Sequence, residues 1–102
     1  MGDITRDEVE RCIILIANLL SHADNLDGME WSVVAHHRGI VQRGMRSGIA
    51  IGPEYTARLA DADAGLLTYA ASIIDAMQEF VAQLPADDWY FDFARHATSS
   101  EE

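Results

Sequence analysis

The sequence contains no lysine, one cysteine, two prolines and only seven arginines against 17 acidic residues, a formal net charge of −10. A lone cysteine, Cys12, excludes an intrachain disulfide and fits a reducing compartment. The shortage of positive charge counts against general binding to nucleic-acid phosphates, because the long-range field repels them. An acidic chain instead suits a basic partner, or the protein surface that itself binds nucleic acid. Long hydrophobic runs are also missing. The most apolar stretch, CIILIA from Cys12 to Ala17, falls far short of the roughly 20 residues that cross a bilayer. The opening MGDITRDEVER is too acidic for a signal peptide, and Arg6 stands where a myristoylation motif after Gly2 wants Ser or Thr. These features lead us to expect a cytoplasmic protein that makes no membrane contact. No alternating pattern supports a strand; IAI at 49–51 is too short.

What is present is helical. Hydrophobic residues make up 49% of the chain, ample for one globular domain, expected over 1–97 with a disordered acidic tail at 98–102. Thr5 with Glu8 opens a helix over about 6–25 as a capping box. Val9, Ile13, Ile16, Leu20 and Ala23 share one stripe, which Cys12, Leu15, Leu19 and Ala17 widen to roughly 200°, about twice the minimum for a surface helix. Asp27 with Glu30 repeats the capping logic and opens a second helix over about 28–46, weakened by Gly39 and Gly44 and stopped at Gly48. Pro53 suits the first turn of a third helix over about 53–84, on which Leu59, Ala62, Leu66, Ala70, Ile73, Met77, Phe80 and Leu84 stay in phase. Asp63 and Gly65 mark the expected place for a kink. Pro85 ends that helix, and a short C-terminal helix over about 87–97 follows, with Asp87 as its expected cap. The fold class is therefore all-α: a small bundle of three longer helices and a short fourth.

Two features of the sequence call for a function. HHRGIVQRGMRSG, from His36 to Gly48, gathers Arg38, Arg43 and Arg46 within about 140° of helical arc. Their place in the C-terminal half of a helix suits the dipole, and pairing with the protein's own acids explains much of the cluster. The sharper reading is a strip of guanidinium forks facing a partner. DDWYFDF places Trp89, Tyr90, Phe91 and Phe93 within five positions, more than one short helix can turn inward. Trp89, Tyr90 and Phe91, with Trp31, are candidate partner anchors beside the three arginines.

Catalytic signatures are missing. Serines and Cys12 have no recognisable base partner, the glycine-rich stretches lack phosphate-loop spacing, and no His-Glu-x-x-His or Glu-x-x-His pairing converges on a metal. The expectation is a non-catalytic, cofactor-free, acidic regulator that inhibits or sequesters a protein target, and that target is expected to bind nucleic acid or regulate transcription. Because the apolar arcs exceed what one small bundle needs, a homodimer is expected. The alternative is a small helical-bundle enzyme or metal protein using His22, His36 or His37.

Overall fold

A computed structural model describes residues 4–99 and shows five α-helices with no strand among the described residues. They are α1 (Arg6–Leu20), α2 (Gly28–Arg46), α3 (Pro53–Thr68), α4 (Ala70–Met77) and α5 (Trp89–Ser99). α1 packs against both α2 and α3, while α2 also packs against α4 and α5. The Cα radius of gyration, 13.2 Å, is that of a compact chain of this length.

The helix starts follow local chemistry. The Thr5 hydroxyl accepts the Glu8 amide at 3.2 Å, and α1 begins at the next residue. Asp27 and Glu30 form the full reciprocal box: the Asp27 carboxylate accepts the Glu30 amide at 2.9 Å, and Glu30 accepts the Asp27 amide at 3.4 Å. Pro53 occupies the first turn of α3, where its missing N–H leaves nothing unpaired. α2 closes with a Schellman turn. The Ile49 amide reaches the Gly44 carbonyl and the Gly48 amide the Met45 carbonyl, which requires φ +97° at Gly48.

Four expected boundaries need correction. α1 stops at Leu20 rather than near 25, because the Ser21 hydroxyl turns back to the Asn18 carbonyl at 2.6 Å and the chain tightens into a 3₁₀ turn, Ala23–Asn25. The helix expected over 53–84 is two helices. Its break falls at Tyr69, not at Asp63–Gly65, where Tyr69 is pinned sideways: its ring stacks on Trp31 at 5.3 Å and its hydroxyl donates to Asp24 at 2.8 Å. α4 then ends at Met77, and a 3₁₀ turn, Val81–Gln83, leads to Leu84, which is extended (ψ 143°) as the residue before a proline must be. α5 covers 89–99 rather than 87–97, capped by Asp88 instead of Asp87: the Asp88 carboxylate accepts the Tyr90 amide at 3.1 Å. Thr98 and Ser99 thus belong to α5, and the remainder of the expected tail, 100–102, lies outside the described residues.

The core is built from Val9, Ile13 and Ile16 of α1, Val34 and Val41 of α2, Leu66 of α3 and Ile73 of α4, all fully buried. Trp89 and Phe93 of α5 stack at 4.7 Å and join it. The wide apolar arc of α1 is absorbed within the chain, since α2 and α3 cover it from two sides; Ile14 alone among its large apolar residues is exposed. Gly44 lets α1 and α2 cross closely, for a Cβ there would lie 2.5 Å from Val9 Cγ2.

A candidate docking groove and the arginine cluster

The three arginines of α2 reach three different places. Arg38 is buried, with 6% of its surface exposed, and makes a two-pronged pair with Asp63 of α3: Nε to Oδ1 at 2.8 Å and Nη2 to Oδ2 at 3.0 Å. Its third arm donates to Gln42 Oε1 at 3.3 Å, and its guanidinium lies over the Trp89 ring, 5.4 Å from the centroid. One side chain therefore ties α2, α3 and α5 together. Arg43 stands 3.5 Å from the buried carboxylate of Asp88. Arg46 donates to the Asp87 backbone carbonyl at 2.7 Å and to Asp92 at 3.4 Å.

Most of the side chains expected to face a partner are consumed by the fold. Trp31, Trp89 and Tyr90 are buried alongside Arg38, so they do not present a recognition strip. Burial raises the Tyr90 phenol above its ordinary pKa, and burial, helped by the Glu8 charge, does the same to the Cys12 thiol. Tyr69 is also raised, chiefly by the hydrogen bond its hydroxyl donates to Asp24. Phe91 is half-buried, edge-on to Tyr90 at 5.7 Å. Arg43 and Arg46 remain about half exposed. The physical reason for Arg38 lies in helical phase. Trp31, Val34, Ala35, Arg38 and Val41 form the buried stripe of α2, and the charge falls on that stripe instead of interrupting it.

The other face of α2 forms one wall of an open groove of about 440 Å³. Val33, His36 and His37 line that wall. Met77 at the end of α4 and Phe80, Leu84 and Pro85 beyond it line the opposite one, with Arg43 and Asp88 at its polar end. Val33 and Phe80 are each 38% exposed, unusual for side chains that should close a core. His37 Nδ1 is 2.8 Å from the Val33 carbonyl, which fixes the ring on its own helix, and the His36 ring meets His37 edge to face at 5.5 Å. His22 is elsewhere, at the end of α1, with Nδ1 3.0 Å from the Ser21 hydroxyl and 3.2 Å from the Asn18 carbonyl. Among the described residues no three of His, Cys, Asp and Glu gather closely enough to hold a metal ion.

The groove is the part of the surface that the sequence does not disclose. Its walls are 40 and more positions apart in the chain, and Phe80 keeps the helical phase of the core residues Ile73 and Met77. A local signal does exist on α2, where Met29 and Val33 lie one turn apart and off the stripe that carries Trp31 and Val34. No family model, no curated protein and no solved structure matches the chain.

Proposed function

We propose that the chain is a non-catalytic, acidic binding protein that sequesters a positively charged protein target. One observation carries this reading: all seven arginines are engaged by the chain's own carboxylates. Arg6 pairs with Glu10, Arg11 with Asp7, Arg38 with Asp63, Arg43 with Asp88, Arg46 with Asp87 and Asp92, Arg58 with Glu54, and Arg95 with Asp92. With every fixed cation answered internally, the formal charge of −10 is presented to solvent as a net negative field. Such a field steers a basic partner inward and competes with phosphates for it. A target that binds nucleic acid has the surface this field complements.

The test is to identify the partner by capture from host cells and then to measure binding of the purified pair. Raising salt from about 50 to about 500 mM is expected to weaken the complex at least tenfold, because exposed charges are screened over that range. A salt-independent complex, or the absence of any protein partner, overturns the proposal. The second reading, a small helical-bundle enzyme or metal protein, draws on His36 and His37 standing on the wall of a groove, with His22 apart from them at the end of α1. Stoichiometric metal in the purified protein, with a raised melting temperature, would favour it.

A further inference from the structure

We infer that the groove between α2 and the 77–85 segment receives an amphipathic, positively charged helix of the partner protein. This rests on the proposed function and adds the place and the shape of the contact. The apolar walls set the first requirement. Val33 of α2 and Phe80 beyond α4 both line the hollow and are 38% exposed, with Leu84 and the buried Met77 also in its lining, a surface that takes large aliphatic anchors. The apolar track does not end with the hollow. Met29, one helical turn before Val33, is 76% exposed and carries the track along α2 beyond the groove's edge. A compact ligand seated in the hollow would leave Met29 untouched. A helix, with anchors repeating every three or four residues, would cover Met29, Val33 and the hollow in succession.

Charge sets the second requirement. The one arginine on the groove, Arg43, is already opposed by Asp88. Asp75 and Glu79 flank Met77 and Phe80 in sequence, are exposed, and have no cation paired with them among the described residues. On α2, Glu30 is the sequence neighbour of Met29 and is exposed, and its carboxylate accepts the Asp27 amide. None of these three carboxylates lines the hollow, whose own polar side chains include His36 and His37 besides the Arg43–Asp88 pair. They lie next to it in sequence, Asp75 and Glu79 on the 77–85 side and Glu30 on α2, where the basic flanks of a helix longer than the hollow would run. A second copy of this chain would bring a further formal −10 with its arginines already paired, and an anionic amphiphile would face the same repulsion.

The test uses a synthetic helix with leucines at i, i+3, i+4 and i+7 and lysines elsewhere, a twin with glutamates for the lysines, and dodecanoate. Binding is measured by calorimetry and located by amide chemical shifts on the full chain. The lysine helix is expected to bind one to one and to shift Val33, Met77, Phe80 and Leu84. Phe80→Asp and Val33→Asp, both at exposed positions, are expected to weaken it by about tenfold, although each adds attractive charge. Ile14→Asp, at an exposed apolar position on α1, is expected to leave it unchanged, and thermal melts confirm that all three variants fold. Equal binding of the glutamate helix in the groove, or lysine-helix binding that Phe80→Asp does not alter, overturns this inference. If the native partner then still binds in a salt-sensitive way, the proposed function survives its loss. Dodecanoate in the groove with no helix bound overturns this inference as well, while the proposed function still stands or falls with the native partner and its salt dependence.

Discussion

Arg38 and Asp63 lie 25 positions apart and meet through two parallel hydrogen bonds of 2.8 and 3.0 Å, but their surroundings are unequal: the guanidinium is 7% exposed and the carboxylate 39%. That asymmetry predicts an asymmetric response to mutation. Arg38→Met leaves a carboxylate that water can reach and keeps an apolar stem against Trp89, so it should cost about 1 kcal/mol or less. Asp63→Ala strands a permanently charged guanidinium beneath Trp89 and should cost about 2–4 kcal/mol. Urea denaturation of both variants checks the order, and an Asp63→Ala protein as stable as Arg38→Met would show that the pair is not what holds α2, α3 and α5 together.

Gly44 offers a case where helix propensity and packing disagree in sign. Inside an exposed helix, glycine to alanine would gain about 1 kcal/mol. Here the added Cβ would lie 2.5 Å from Val9 Cγ2, so Gly44→Ala should instead lose about 1–3 kcal/mol as α1 and α2 are pushed apart. Val9→Ala removes the opposing methyl groups, and the double variant should be more stable than the sum of the two single losses implies, by at least about 0.5 kcal/mol. Gly28→Ala, with no atom near its Cβ, should show no such loss.

These residues also show what the sequence discloses. The Asp27–Glu30 box, Pro53 at the start of α3 and Gly48 after α2 act within a few positions of themselves, so their chemistry reads directly from the order of residues. α2 accordingly matches its expected 28–46 span. Arg38 was legible in principle, since its position repeats the phase of Trp31, Val34 and Val41, yet a charge on an apolar stripe reads as an interruption until its partner is known. That partner, Asp63, sits on the next helix, 25 positions along the chain. The break at Tyr69 is likewise fixed from outside its own helix, by Trp31 and Asp24, and no local signal marks it. The groove follows from that break and from the end of α4 at Met77, beyond which Phe80 leaves the core line on which periodicity places it, while Leu84 still packs against the core.

Alkaline pH should destabilise the fold before the arginines titrate. Tyr90 and Cys12 are held above their ordinary pKa values in the folded state, mainly because burial disfavours the phenolate and the thiolate. An acid whose folded pKa is raised keeps its proton in the native state after the unfolded chain has lost it. Stability is therefore intact below the unfolded values, about 8.5 for cysteine and about 10 for tyrosine, and falls as pH rises above them toward the folded values. Urea midpoints between about pH 7 and pH 11 should decline, and Tyr90→Phe should flatten the upper part of the decline. For the same reason Cys12 should react with a thiol reagent at pH 8 only at the rate set by unfolding, and rapid labelling of the native protein would contradict its burial.

Asp87 and Asp88 are adjacent and chemically identical, and the structure gives them opposite importance. Asp87 is exposed, and its link to Arg46 runs mainly through its backbone carbonyl, at 2.7 Å, with the carboxylate 3.8 Å away. A substitution of its side chain leaves that carbonyl in place, so Asp87→Ala should change stability by no more than about 0.5 kcal/mol. Asp88 is buried, accepts the Tyr90 amide at the start of α5, and faces Arg43 and the backbone of Gly39. Asp88→Ala removes the cap and leaves a buried amide without an acceptor, which should cost about 1–3 kcal/mol. Asp88→Asn keeps an oxygen for the amide and loses only the charge toward Arg43, so it should recover most of the cap's share. Amide hydrogen exchange at Tyr90 and Phe91 distinguishes this from a general loss of stability: under native conditions Asp88→Ala should speed exchange there before it affects α1, whereas a uniform change across the chain would remove Asp88 as the local anchor of α5.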